Sequence, residues 1–201
     1  PYRFLDLDAI AVGTELVSIV TLVTAERAGY LELVLEQIRR QTYPRLEVIV
    51  IDDVDDEDDS SDPADGPSGA VAQALAAFVD LQIIYRRALG GSTVGQKRNL
   101  ACSVANGEVI VTWDADDLYS DARVAVQVVP ILNGKYDVSI FRFRFFAWAS
   151  PTAIEYYETP GEEQSPSMGT LAFRRSLWVN GAKYPEVDVG EDVGFLNSAI
   201  Q

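Results

Sequence analysis

The sequence contains no histidine and a single cysteine, Cys102, among its 201 residues. Without histidine, Ser-His-Asp and Cys-His hydrolase chemistry and most transition-metal sites are excluded. A lone cysteine excludes an internal disulfide framework and a zinc site built on cysteines, so we interpret Cys102 as a packing residue. Carboxylates are therefore the groups that remain for acid–base catalysis and for metal binding.

Basic residues are also scarce, with 16 Lys and Arg against 31 Asp and Glu and a formal net charge of −15. Binding to a nucleic-acid backbone needs a basic surface, so no nucleic-acid partner is expected. No apolar run approaches the roughly 18 residues of a membrane span, and the acidic first segment is not typical of a signal peptide. We therefore expect a cytoplasmic chain without a membrane span. It opens at Pro1 and stops at Gln201 inside an apparent helix, which leaves open that it is a piece of a longer protein.

The length of the whole chain fits one domain of about 100–200 residues. Through its first half, short apolar strands alternate with helices. Apolar β-rich runs predict the strands, and apolar residues at helical spacing predict the helices. A capping box of Thr93 and Gln96 marks the start of the third helix. The predicted order is strand 17–23, helix 31–40, strand 46–51, helix 68–79, strand 81–85, helix 93–106 and strand 108–113. This order predicts an α/β fold, with a mostly parallel central sheet and helices on both faces.

The pattern changes after a helix that ends near Pro130. Phenylalanine and arginine alternate towards the end of 136–146, which predicts one strand with the arginines facing solvent. We also predict an irregular polar segment over 152–167, a strand over 169–173 and a final helix over 191–200. The acidic run 55–65 is expected to be a solvated loop. The three tryptophans are assigned to the core: Trp113, Trp148 and Trp178.

Charged residues follow three strands at the point where each strand ends. They are the pair Asp52 and Asp53, the pair Arg86 and Arg87, and the group Asp114, Asp116 and Asp117. In open α/β sheets ligands bind at the carboxyl ends of the strands, so these side chains are expected at one edge of the sheet. Carboxylate oxygens suit a hard cation, Mg²⁺ or Mn²⁺, which is typically shared with substrate phosphates.

The third helix adds groups that suit an anion. Its start near Gly95 is expected to offer free backbone N–H groups, and Lys97 and Arg98 lie in its first turn. Cations at that position oppose the helix dipole, so helix stability does not explain them. Together with the carboxylates they predict a metal–diphosphate site.

Each of these features also has a purely structural interpretation. Aspartates at strand ends are common turn formers, and Asp52 and Asp53 alone indicate a turn more often than a ligand site. Acidic residues such as Glu191 and Asp192 are favoured in the first turn of any helix. The order of the groups at successive strand ends is what favours a binding site.

Three blocks of the sequence resemble glycosyltransferase family 2, over nearly the whole chain from 17 to about 196. The family's first strand and helix, Gln-Thr-Tyr-Pro turn and Asp-Asp-ended second strand are similar to VSIVTLVTAERAGYLELVLEQIRRQTYPRLEVIVIDD. Its Gly-x-x-Arg-Asn helix, Ala-x-Gly-Glu turn and Asp-x-Asp are similar to TVGQKRNLACSVANGEVIVTWDADD. Its acceptor-side strand and Glu-Asp pair are similar to GTLAFRRSLW and GED. The resemblance implies the GT-A fold, a Rossmann-like sandwich.

The resemblance implies a metal-dependent inverting glycosyltransferase, which moves a sugar from a nucleoside-diphosphate sugar to an acceptor hydroxyl in a single displacement. The donor implied is most often a UDP-sugar, the acceptor a carbohydrate or another hydroxyl compound, and the metal Mn²⁺ or Mg²⁺. One catalytic domain over 1–201 is expected. Residues 1–117 would form its nucleotide-binding half and residues 118–201 its acceptor-binding half, whose C-terminal completeness stays open.

The resemblance also implies roles for the charged residues. Asp52 and Asp53 would contact the nucleoside. Arg98, with Arg86 or Arg87, would reach the base or diphosphate. Asp114 and Asp116 would hold the ribose and the metal, with Asp116 favoured as the direct metal ligand. Asp192 would be the general base, and Glu191 would support it or place the acceptor. The segment 23–27 lacks the family's proline, so Thr24 and Glu26 receive no role.

Other classes of protein are compatible with parts of this pattern. A sugar-phosphate nucleotidylyltransferase also uses carboxylate-held Mg²⁺, but it would need a glycine-rich loop after the first strand, where 24–29 is poor in glycine. A non-catalytic module that binds sugar nucleotides or serves as a scaffold would keep the fold without turnover, and the Asp-x-Asp and Glu-Asp pairs argue against it. A phosphoacceptor receiver domain would need one aspartate after its third strand and a lysine after its fifth, which the spacing does not provide.

Overall fold

The computed structural model describes residues 13–53, 66–67, 69–142, 145–149, 154–158 and 166–200. The predicted acidic loop 55–65 lies outside these residues. The prediction of an irregular segment over 152–167 is wrong at Ile154–Glu158, which form a strand, and most of the rest of that segment lies outside the described residues. Trp148 falls in a strand whose side chains are likewise outside the described part, so its assignment to the core stays a prediction.

The first half of the chain forms the predicted alternation of strands and helices. Its elements are β1 (Val17–Thr24), a 3₁₀ helix (Ala25–Tyr30), α1 (Leu31–Arg39), β2 (Leu46–Asp53), α2 (Gly69–Ala76), β3 (Ile83–Arg87), α3 (Val94–Val104) and β4 (Val109–Thr112). The second half consists of α4 (Arg123–Leu132), β5 (Val138–Ser139), β6 (Phe145–Ala149), β7 (Ile154–Glu158), a 3₁₀ turn (Met168–Thr170), β8 (Ala172–Arg174), α5 (Arg175–Val179) and α6 (Glu191–Ala199).

Six strands form one mixed sheet in the order β3-β2-β1-β4-β8-β5. The first four strands are parallel, whereas β8 runs antiparallel to β4 and to β5. Strands β6 and β7 pair separately as an antiparallel hairpin. The expectation of a mostly parallel sheet is therefore confirmed. Its parallel half brings the carboxyl ends of β1, β2, β3 and β4 to one edge.

Apolar side chains fill both faces of the sheet, as the near-continuous hydrophobic strands require. On one face Leu35, Val71 and Val128, from α1, α2 and α4, pack in a single cluster. On the other face Ala101 of α3 and Phe195 of α6 pack in a second cluster. The prediction of helices on both faces is confirmed. Cys102 and Trp113 are buried, as predicted, and Trp178 is partly buried.

The prediction of one strand over 136–146 is wrong. Strand β5 ends at Ser139, and β6 begins at Phe145 in a different sheet. The alternating pattern misleads because the backbone of Phe141 has other partners. Its N–H donates to Thr170 Oγ1 (3.0 Å), and its carbonyl accepts from the N–H of Ser167 (2.9 Å). The predicted strand 169–173 also begins late, since Met168–Thr170 form a 3₁₀ turn.

Hydrogen bonds from α1 and from the Gln-Thr-Tyr turn after it hold the segment that follows β4. Gln41 Nε2 donates to the carbonyl of Ser120 (3.0 Å), and Gln41 Oε1 accepts from the N–H of Val124 (3.0 Å). Gln37 of α1 accepts from the N–H of Tyr119 (2.6 Å). Both glutamines are buried, so these bonds hold the loop between β4 and α4 in one place.

Candidate functional site

Asp52 and Asp53 are the last two residues of β2, and Arg86 and Arg87 the last two of β3. The prediction put both arginines after the strand, but β3 extends to include them. Because successive side chains of a strand point to opposite faces, the two arginines separate. Arg87 pairs in register with Asp52, whereas Arg86 is exposed and its guanidinium donates to the carbonyl of Tyr85.

Asp52 is a buried carboxylate, with 7% of its surface exposed. The Tyr85 hydroxyl, on β3, donates to Asp52 Oδ2 at 2.8 Å. Burial raises the pKa of Asp52 and the charge of Asp53 adds to this, whereas the Tyr85 hydrogen bond and Arg87 oppose it. Tyr85 is a site residue that the sequence did not single out, since a tyrosine in an apolar strand predicts only packing.

Asp53 is held by the first turn of α3. Lys97 Nζ lies 2.5 Å from Asp53 Oδ2, and both side chains are largely covered. The ion pair accounts for a lysine at a helix position where a cation is otherwise unfavourable. The structure thus brings these two predicted residues together.

Arg98 joins the two halves of the chain. Its Nε donates to Glu191 Oε1 of α6 at 3.0 Å, and its Nη2 lies 3.7 Å from Asp114 Oδ1. Arg98 and Glu191 are only 8% and 6% exposed. Burial lowers the pKa of Arg98, but Tyr184, Asp114 and Glu191 together outweigh it and hold the pKa above its usual value. The guanidinium therefore remains charged between two carboxylates.

The prediction that α3 begins with free backbone N–H groups is wrong. The N–H of Val94 donates to Asp188 Oδ1 (3.0 Å), and that of Gly95 to the carbonyl of Val187 (3.0 Å). The N–H of Gln96 is capped by Thr93, as the capping box predicts. A segment nearly a hundred residues away thus occupies the helix end, and no local signal indicates it.

The turn after β4 carries the Asp-x-Asp carboxylates. Burial raises the pKa of Asp114, and the nearby charges of Asp117 and Asp116 raise it further, against the influence of Arg98. Gly169 lies so close that a Cβ there would be 2.2 Å from Asp114 Oδ2. A larger residue at this position would therefore force the Asp114 carboxylate to move.

Asp116 forms an ion pair that the sequence did not predict. Arg27, in the 3₁₀ helix after β1, places Nη2 at 3.3 Å from Asp116 Oδ2. Both side chains are accessible, at 49% and 41% exposure. The segment 23–27 had no assigned role, although its place after the central strand β1 was a signal that it would reach this edge.

Arg123 is a buried arginine behind the Asp-x-Asp turn, and 1% of its surface is exposed. Its guanidinium lies over the rings of Tyr119 (3.7 Å) and Trp113 (4.5 Å) and donates to the carbonyl of Thr112 (2.5 Å). Burial lowers its pKa to about 10, against the opposing influence of Tyr119, Asp114 and Asp117. No sequence pattern indicates this residue, because its position at a helix start predicts an exposed side chain.

The Glu-Asp pair occupies the first turn of α6, after Gly190 with a positive φ of 80°. Glu191 is buried against Arg98, whereas Asp192 is half-buried and its Oδ1 accepts from the N–H of Val193 (2.7 Å). The two carboxylates therefore differ in access to solvent. Asp192 is the one that an external molecule can reach more easily.

A divalent cation fits the chemistry of this edge in part. Among the described residues, no three carboxylate or thiolate groups converge as a ready-made metal site. Asp114 and Asp116 supply hard oxygen donors, and burial, with a smaller contribution from the charges of Asp117 and Asp116, raises the pKa of Asp114. The pair suits a cation that takes its remaining ligands from a bound phosphate or from water.

A cavity of about 370 Å³ lies at the opposite edge of the sheet, where Gly107 and Arg174 form part of its wall, so it is not part of this site.

In the part of the chain that the structure describes, no helix has the length and apolar character needed to cross a membrane.

Comparison with known proteins gives a consistent result. The family model of Glycosyl transferase family 2 matches residues 18–175. The structure is similar to Staphylococcus aureus TarS 1-349 (17% identity, TM-score 0.66, covering 92% of this chain and 55% of that one). It is similar to the same protein in complex with UDP-GlcNAc (18%, 0.66, 92% and 53%). It is also similar to the mannosyltransferase PcManGT from Pyrobaculum calidifontis in complex with GDP-Man and Mn²⁺ (25%, 0.63, 90% and 50%). The chain spans about half the length of these structures, and no curated protein matches it in sequence.

Proposed function

This chain belongs to glycosyl transferase family 2 and has the GT-A fold, and we propose that it is a metal-dependent inverting glycosyltransferase that uses a UDP-sugar. One observation carries the proposal. Arg98 and Glu191 form a buried bridge that places the Asp-x-Asp turn beside the Glu-Asp pair of α6. The carboxylates proposed to hold the metal and the diphosphate are thereby joined to the first turn of α6, which carries the proposed base.

Donor binding is assigned to the nucleotide-binding half, 1–117. Asp52 and Asp53 are proposed to contact the nucleoside, and the register of Arg87 with Asp52 supports Arg87 rather than Arg86 as the arginine that approaches it. Lys97 keeps Asp53 in position. TarS structures hold UDP or UDP-GlcNAc and PcManGT holds GDP-Man, so the family leaves the base open.

Asp116 and Asp114 are the residues that would hold Mn²⁺ or Mg²⁺ together with the donor diphosphate. A bound cation would neutralise the charge that develops on the diphosphate as it leaves the sugar. The guanidiniums of Arg27 and Arg98, which form ion pairs with Asp116 and Asp114, add fixed positive charge at the same edge of the sheet. Such preorganised charges are worth more in a partly desolvated site than in water.

Asp192 is assigned as the general base, which takes the proton of the acceptor hydroxyl as that oxygen attacks the anomeric carbon. Attack on the face opposite the leaving diphosphate inverts the configuration. A carboxylate with an ordinary pKa near 4 suffices if the proton moves late in the step. Glu191 supports Asp192, because its ion pair with Arg98 fixes the first turn of α6.

The test compares binding and turnover in the same variants. Calorimetric titration of UDP, with Mn²⁺ and with chelator, is expected to show metal-dependent binding that Asp116→Ala weakens. Asp192→Asn is expected to lose about 10²-fold or more of the UDP release from UDP-GlcNAc or another UDP-sugar, with UDP affinity changed less than about twofold. Asp80→Asn, an exposed carboxylate paired loosely with Arg39, is the matched control.

Two results contradict the proposal in different ways. Absence of metal-dependent binding of any nucleotide would favour a non-catalytic scaffolding module. Equal loss of binding and turnover in Asp192→Asn would refute the base assignment, because Asp192 would then act in binding, and would leave the roles proposed for the other binding residues unchanged.

A further inference from the structure

Asn99 follows Arg98 in the Gly-x-x-Arg-Asn block of α3, and the proposed function gives it no role. Its side chain reaches residues of the second half of the chain, between the start of α5 and the start of α6. We propose that Asn99 is a positioning residue, which sets the place of the first turn of α6 and thereby that of Asp192. The inference rests on the proposed function, in which Asp192 is the general base.

The amide of Asn99 holds both backbone groups of one residue. Its Nδ2 donates to the carbonyl of Tyr184 (2.8 Å), and its Oδ1 accepts from the N–H of Tyr184 (3.1 Å). The same Oδ1 accepts from the indole N–H of Trp178 (2.9 Å). Tyr184 therefore cannot shift along α3 or rotate about its own backbone without breaking at least one of these hydrogen bonds.

The ring of Tyr184 carries this constraint to α6. It is 2% exposed and stacks on the ring of Phe195 of α6, with centroids 4.6 Å and planes 16° apart. Phe173 of β8 contacts Phe195 as well (4.4 Å), so that ring lies between the sheet and Tyr184. Glu191 and Phe195 are four residues apart and share one face of α6. The ion pair with Arg98 and the stack on Tyr184 thus hold that face at two successive turns.

The next residue, Pro185, lies between the two helices. A Cβ at Gly95 of α3 would overlap the carbonyl oxygen of Pro185, and a Cβ at Gly194 of α6 would be 2.5 Å from Pro185 Cγ. The two helices can approach the segment this closely because both positions are glycine. Residues 184–185 are therefore the spacer between α3 and α6, and Asn99 fixes where the spacer sits on α3.

The position of α6 matters because a general base must lie within hydrogen-bond reach of the hydroxyl that it deprotonates. A misplacement of about 1 Å can cost about 10²-fold in rate. The pair of Lys97 with Asp53 on the donor side has no contact with the spacer among the hydrogen bonds and ion pairs of the described residues. Loss of Asn99 should therefore reduce turnover and leave nucleotide binding almost unchanged.

Hydrogen exchange followed by mass spectrometry tests the structural part without any ligand. The amides of 194–196 report on α6, since the N–H of Gly194 donates to the carbonyl of Gly190 (2.9 Å). Asn99→Ala is expected to increase exchange at these amides about fivefold or more, the factor that one lost hydrogen bond implies. Exchange in β2 (46–53) should stay within about twofold of that of the unmodified protein.

Turnover and binding test the functional part. In Asn99→Ala, kcat for UDP release from UDP-GlcNAc or another UDP-sugar should fall about 10- to 100-fold. KM for the donor, and the affinity for UDP with Mn²⁺ in calorimetry, should change less than about twofold. The stoichiometry of UDP binding gives the folded fraction, so a merely structural role, which lowers that fraction, is distinguished from a lower kcat.

Glu47→Gln is the matched control. Glu47 is also a buried side chain with several hydrogen bonds, to Ser18 Oγ (2.5 Å) and to the N–H of Asn106 (2.7 Å) among others, but it lies at the opposite edge of the sheet. It should keep both kcat and the exchange of α6. Phe195→Leu, which removes the stack and keeps the hydrogen bonds of Asn99, should reproduce the effects of Asn99→Ala and decides if that variant does not fold.

The outcomes separate this inference from the proposed function. Unchanged exchange at 194–196 in Asn99→Ala, or an increase confined to 178–185, would overturn the inference whichever donor the protein uses. Equal loss of kcat and of UDP affinity would also overturn it, because Asn99 would then act in donor binding. If the unmodified protein binds no nucleotide, the proposed function fails, and the exchange experiment still decides whether Asn99 holds α6 in place.

Discussion

Replacement of Arg98 by methionine is expected to lower the free energy of unfolding by about 3–5 kcal/mol, as when one partner of a buried ion pair is removed. The estimate applies because Arg98 and Glu191 are both nearly inaccessible and their bond is 3.0 Å long. Asp114 loses its partner as well, but it lies 3.7 Å away with a more exposed side chain and contributes less. Since whole domains are stable by about 5–15 kcal/mol, the change is large.

The double variant Arg98→Met with Glu191→Leu is the critical comparison. Because it removes both charges and fills the space with apolar side chains, its cost is expected to be only about 0–2 kcal/mol. The single variant Glu191→Leu, which leaves Arg98 without its nearest carboxylate, should cost about 3–5 kcal/mol as well, so the cycle should give a coupling energy of about 4 kcal/mol or more between the two positions.

Unfolding in urea, followed by circular dichroism at pH 7.5, measures these differences, provided that the slope m is unchanged. The loss in Arg98→Met should be smaller near pH 5. Arg98 opposes the burial that raises the pKa of Asp114, so its removal raises that pKa further. A folded-state pKa above the unfolded value gives stability at low pH that is lost as pH rises. A single-variant loss below about 1 kcal/mol, or additive costs in the double variant, would refute the buried bridge.

Two other contacts give predictions of a different kind. Arg27→Gln should raise the affinity for Mn²⁺ alone about three- to fivefold, because an exposed ion pair no longer competes for Asp116. Electron paramagnetic resonance of free Mn²⁺ measures this affinity, with Arg39→Gln as the control. An unchanged affinity would contradict competition between Arg27 and the metal. Glu47→Gln should lower the free energy of unfolding by about 1–3 kcal/mol, because buried Glu47 accepts from Ser18 Oγ (2.5 Å) and from the N–H of Asn106 (2.7 Å). Its UDP affinity should be unchanged, since Glu47 lies at the other end of β2; a loss of affinity without a loss of stability would be inconsistent with this account.

The helical and strand periods were sufficient to predict the first half of the fold. The capping box is confirmed in detail, with the N–H of Thr93 donating to Gln96 Oε1 at 2.9 Å. Local signals of this kind work because the partners are a few residues apart. The same reasoning failed for 136–146, where alternation predicts a strand but the backbone of Phe141 bonds to Ser167 and Thr170.

The sequence predicted that the candidate site lies at the edge of the sheet where the parallel strands end, but not which side chains contact each other there. Asp52, Asp114 and Arg98 were singled out from their positions at strand ends and in a helix turn. The closed helix end of α3 was not predictable, because Asp188, which caps Val94, is 94 residues away in sequence. Nor was the hydrogen bond of Tyr85 to Asp52, which depends on the register of β2 against β3.

The sequence by itself determined which chemical groups this protein has and to which edge of the sheet they go. Its lack of histidine leaves carboxylates, and parallel strands bring their carboxyl ends together. Only the tertiary structure decided which cation meets which carboxylate. Lys97 pairs with Asp53 over 44 residues and Arg98 with Glu191 over 93. The physical reason is that such pairs depend on how α3 packs against β2 and α6, and packing over these separations leaves no periodic trace in the chain.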